Sequence, residues 1–162
     1  MNGRLSIAAL RTRIDRALAA EPHAVLPIHL RICLILEILL IYAVTLVRMR
    51  RHDLRGMVAR GRNGRGVTAR QEDGHQASAS HTRVARRLGW AVNRTLSVLP
   101  TDSRCLVQSL VLTRLLTARA IPSRVVIGAR SDGPFMAHAW VECGSVAVLP
   151  ARGYENARLV EI

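Results

Sequence analysis

Thr101-Asp102-Ser103-Arg104-Cys105-Leu106 opens a run in which Leu110, Leu112, Leu115 and Leu116 follow at helical spacing, before Ile121-Pro122 closes it. Thr101, Asp102 and Ser103 are all good N-cap residues, so the spacing predicts a helix whose first turn holds a cysteine. Downstream, Val125, Val126 and Ile127 read as a buried strand, Ser131 to Pro134 as a turn and Met136 to Glu142 as a second strand. Gly144 and Ser145 then turn the chain into a third strand, Val146 to Leu149. Upstream, Val84, Leu88, Trp90, Ala91, Leu96 and Leu99 form the apolar pattern of another helix, which ends at Pro100. Helices followed by short strands that turn back on one another place this part of the chain in the α+β class.

A cysteine in the first turn of a helix sits among backbone N–H groups that lack intrahelical acceptors, at the positive end of the helix dipole. Both stabilise a thiolate, and the same donors can receive the oxyanion formed when that thiolate attacks an amide carbonyl. Cys105 holds that position with Arg104 beside it, and its own backbone N–H is the candidate oxyanion donor. Such a nucleophile needs an imidazole to take its proton and return it to the leaving amine. His138 is the candidate, set on the second strand between Ala137 and Ala139, with Trp140 placed to shield the pair. A zinc site built from Cys105, His138 and Cys143 is the competing reading of the same residues, and it wants a fourth ligand at close spacing.

Outward from this core the composition changes abruptly. Over residues 59–81, Gly61, Gly64, Gly66 and Gly74 alternate with Arg, Gln, Asp and Ser, the pattern of a flexible linker. It divides an N-terminal helical region, 1–58, from a catalytic domain, 82–162. Residues 5–20 predict a weakly amphipathic helix with a basic face. Residues 28–47 are the most apolar of the chain and end in Arg48, Arg50 and Arg51. Arg31 and Glu37 interrupt that stretch, which favours a helix buried in protein or lying on a membrane over one crossing it.

A chain of 162 residues with 49% hydrophobic residues suits one domain with extensions, and its formal net charge of +13 predicts acidic partners. Arginines spread along the chain without interleaved aromatics point away from nucleic acid and toward an acidic peptide or a membrane surface. Three widely spaced cysteines, Cys33, Cys105 and Cys143, with no secretory signal before them, predict the cytoplasm, with a membrane surface as a second site of residence.

Asp102-Ser103-Arg104-Cys105-Leu106 with Ser109, Leu110 and Leu112, then Ile121-Pro122, Val126-Ile127-Gly128 and Ala137-His138-Ala139-Trp140-Val141-Glu142, resembles the transglutaminase-like cysteine peptidases of lasso-peptide biosynthesis. The blocks keep that family's order and spacing, and the histidine block is the most specific. The resemblance implies a Cys-bearing helix packed on an antiparallel sheet that carries the His. It also implies removal of the leader from a ribosomal precursor peptide by Cys105 and His138, without a cofactor. A separate leader-recognition protein and an ATP-dependent lasso cyclase are the implied partners.

The family usually carries an Asp about a dozen residues after the histidine to orient the imidazole. Leu149 and Pro150 occupy that region here, which leaves Glu142, Glu155 or a backbone carbonyl for the task. With that Asp missing, a non-catalytic scaffold holding the precursor for the cyclase is the alternative reading. Transfer of the acyl group to an amine stands beside hydrolysis.

Overall fold

A computed structural model of the protein describes residues 7–19, 27–51, 79–99, 104–130, 136–153 and 158–161. Among the described residues, four helices, α1 (Ile7–Ala19), α2 (Ile28–Arg51), α3 (Ala79–Leu96) and α4 (Arg104–Thr117), precede the strands β1 (Arg124–Arg130), β2 (Met136–Cys143), β3 (Val146–Ala147) and β4 (Arg158–Glu161). The strands form one antiparallel sheet in the order β3-β2-β1-β4. The expected α+β arrangement is the one observed.

α4 lies at the centre, packed against α2, α3, β1 and β2. Its Val107, Val111, Leu112, Leu115 and Leu116 are buried, as the apolar recurrence requires of a helix with neighbours on several sides. It ends in a left-handed turn at Ala120 (φ 52°), where the Ile121 N–H donates to the Leu116 carbonyl and the Ala120 N–H to that of Thr117. Glycine usually occupies this position because it lacks the Cβ that crowds the conformation.

α3 begins at Ala79, so the last residues of the expected linker, 79–81, form its first turn; 59–78 lie outside the described residues. Val84, Leu88, Val92 and Leu96 bury one stripe of α3, and Trp90 on the opposite side is 68% exposed. Gly89 is required by a close approach: a Cβ there would stand 2.2 Å from the Val148 carbonyl oxygen. β3 is shorter than the expected strand because the Val148 and Leu149 N–H groups converge on one acceptor, the Val141 carbonyl. β4, unforeseen in the sequence, pairs with the free edge of β1.

The helices before and after residues 59–78 share one core. Ile14 and Leu18 of α1 and Leu30, Leu34 and Ile38 of α2 join Leu112, Leu115, Val126 and Trp140 in one continuous apolar cluster. Polar contacts reinforce the joint. The Arg119 guanidinium, 2% exposed just beyond α4, donates to Asp15 Oδ1 at 2.6 Å and to Glu37 Oε2 at 2.8 Å, while Arg11 donates to Glu37 Oε1 at 2.7 Å. Burial on its own would raise the pKa of Glu37, but the hydrogen bonds and charges of Arg119 and Arg11 outweigh it and hold the carboxyl below its ordinary value.

Candidate active site

The two residues proposed for catalysis come from different elements and meet at one cleft of about 280 Å³. Cys105 is the second residue of α4 and His138 the third of β2. Cys105 and Gln108 of α4 line it together with Asn93 of α3, Ser97 in the turn just after α3, His138 and Ala139 of β2, and Leu149, Pro150 and Arg152 after β3. Gly128 faces His138 across the β1–β2 pair, so no side chain crowds the imidazole from that strand. Position in α4 leaves the Cys105 N–H among the helix's terminal donors, as an oxyanion site requires. The capping residues Asp102 and Ser103 lie outside the described residues.

The imidazole is fixed from two sides. Its Nε2 lies 2.9 Å from the Pro150 carbonyl oxygen, and because a carbonyl only accepts, Nε2 carries the proton and Nδ1 is the basic nitrogen. Trp140, fully buried and two positions along the same face, stacks near-parallel to the ring at 16°, with centroids 6.3 Å apart. Its indole Nε1–H donates to Glu142 Oε1 at 2.9 Å, and Arg124 donates to Glu142 Oε2 at 2.9 Å and to Glu161 at 2.9 Å.

Glu142 therefore holds the Trp140 indole and the Arg124 guanidinium, while the Pro150 carbonyl, twelve positions after His138, holds the imidazole. The distance along the chain is the one at which the resemblance places an Asp. Glu155 lies outside the described residues.

Strand alternation puts Cys143 on the opposite face of β2 from His138, 1% exposed, and burial pushes its thiol up from the ordinary value. Among the described residues no group of three or more His, Cys, Asp or Glu side chains is placed to hold a metal, so the zinc reading finds no convergent ligands.

Three cleft residues were not legible as site residues. Gln108 follows Cys105 by about one helical turn, is 8% exposed and lines the same cleft. Asn93, in the last turn of α3, and Ser97, in the turn that follows it, add polar groups to the cleft, four residues apart. That spacing was the signal available in the sequence. The Pro150 carbonyl left none, because main-chain acceptors are common to every residue.

A helix N-terminus presenting a cysteine to a histidine on an antiparallel strand, with the imidazole oriented by an acceptor further on, is the frame of a papain-like thiol enzyme. The family model described as the transglutaminase-like superfamily matches residues 42–160, most of the chain, and the protein belongs to that superfamily. Its members are typically enzymes of cysteine-peptidase or transglutaminase type. No curated protein and no solved structure gives a match.

Proposed function

We propose that this protein is a cysteine peptidase that removes the leader from a lasso-peptide precursor. The carrying observation is the shared cleft in which Cys105 and His138 meet while the Pro150 carbonyl holds Nε2–H. The sequence blocks around both residues support the choice of substrate.

In the first step the Cys105 thiol proton passes to His138 Nδ1 and the thiolate adds to the scissile carbonyl carbon. The oxyanion meets the Cys105 N–H, with the Gln108 amide beside it. Collapse of the tetrahedral adduct breaks the C–N bond, and the imidazolium returns its proton to the leaving amine, the new N-terminus of the core peptide. Water, deprotonated by the same imidazole, then cleaves the thioester and frees the leader as a carboxylic acid. The Pro150 carbonyl orients the imidazole through Nε2–H. The delivery of precursor by a separate leader-recognition protein raises the rate by positioning the scissile bond. An ATP-dependent cyclase takes the released core peptide.

The test is incubation with a lasso precursor and its leader-binding partner, followed by mass spectrometry. Wild type releases leader and core, Cys105→Ala releases neither, and Pro150→Ala, which keeps the carbonyl, retains kcat/KM within about tenfold. Failure of folded wild type to cleave, with the partner present, transfers the function to a scaffold that holds the precursor. An amine adduct on the leader in place of free acid makes the reaction acyl transfer.

A further inference from the structure

α2 has two apolar faces, and the fold uses one of them. Leu30, Leu34 and Ile38 enter the core, but on the other side Ile28 (69% exposed), Ile32, Leu36, Leu40 (66%), Val44 and Val47 form an open stripe along the helix. Running from Ile28 to Val47 at about 1.5 Å rise per residue, the stripe is about 30 Å long, far more than scattered surface leucines present.

Cations edge this stripe. Arg31, Arg48 and Arg50 are exposed along it and at its C-terminal end, and Arg48 lies close to Arg114 of α4, which donates to Thr45. Among the described residues neither Arg48 nor Arg114 forms an ion pair with a carboxylate. Burial first, and the Arg48 charge second, hold the Arg114 guanidinium below its ordinary value.

We propose that the exposed face of α2 docks the folded domain on an anionic phospholipid bilayer, with the stripe in the acyl–headgroup boundary and Arg48 and Arg114 on lipid phosphates. The occupant is chosen by charge. A second copy would bring another chain of formal charge +13 and another set of arginines against the first, whereas an anionic leaflet neutralises them. The helix lies on the bilayer and does not cross it. Crossing would strip Leu30, Leu34 and Ile38 from the core and break the Glu37 bonds to Arg119 and Arg11.

Flotation of the full chain with equimolar phosphatidylglycerol–phosphatidylcholine vesicles, beside pure phosphatidylcholine vesicles, tests this. The expected result is binding to the anionic vesicles only, weakened by salt and lowered about tenfold or more by either Leu36→Gln/Leu40→Gln or Arg48→Gln/Arg114→Gln. Circular dichroism and urea melts confirm that the variants stay folded, and leucine exposed at these positions leaves little core to lose. Three results overturn the proposal: no binding, binding untouched in both folded variants, or protein that alkaline carbonate fails to release, which makes α2 a span. Sedimentation equilibrium showing a dimer abolished by Leu36→Gln/Leu40→Gln, without vesicle binding, overturns it too and gives the face to a second copy.

Discussion

Cys105 and Cys143 show how position decides what a thiol does. Cys105 is partly exposed in a helix's first turn and lines the cleft, whereas Cys143 is 1% exposed and burial raises its pKa. Brief treatment of the native protein with iodoacetamide is expected to alkylate Cys105 and leave Cys143 unmodified, and urea is expected to make both reactive. Peptide mapping by mass spectrometry reads the difference. Cys105 and His138, the proposed nucleophile and base, were legible because they are side chains in recognisable settings, and the cleft brings them together. Glu142 was named for the third position because it shares a strand face with His138, and that alternation is real. What alternation does not reveal is that the Trp140 indole and Arg124 also reach the Glu142 carboxylate.

Among the elements, α4 and the β1–β2 pair were the clearest in the sequence, since N-cap residues, apolar recurrence and turn residues all agreed there. β4 was not, for it is four residues long and its place depends on a sheet edge supplied by distant chain. α3 was read as starting late because the apolar recurrence begins only at Val84, five residues into the helix. Two small residues limit these elements in opposite ways. Gly89→Ala forces the α3 backbone away from Val148 and is expected to cost about 2–4 kcal/mol. Ala120→Gly relieves a left-handed residue at the end of α4 and is expected to stabilise by about 0.5–1 kcal/mol. Urea denaturation midpoints at constant m-value measure both.

At the scale of the whole molecule, composition predicted a linker and two regions, while the folded chain has one core that both regions share. No periodicity reveals this, because the joint is made by a conjunction of Arg119, Asp15, Glu37 and Arg11 from separate parts of the chain. The folded pKa of Glu37 is depressed, so its contribution to stability is complete above the ordinary carboxylate value of 4.5 and is lost as pH falls through the lower, folded value. Glu37→Gln is expected to cost about 2–4 kcal/mol near neutrality, because it leaves Arg119 with a weaker partner at 2% exposure, and to flatten the acid limb of the stability profile. Urea unfolding of both proteins across acid pH tests the magnitude and the slope.

The hydrogen bond from His138 to the Pro150 carbonyl reaches beyond this one cleft. All twenty amino acids carry that oxygen, so the orienting position is free to drift in identity as long as the turn keeps its shape. Selection there acts on backbone path. A search by a Cys, His, Asp pattern of side chains does not register a main-chain acceptor of this kind.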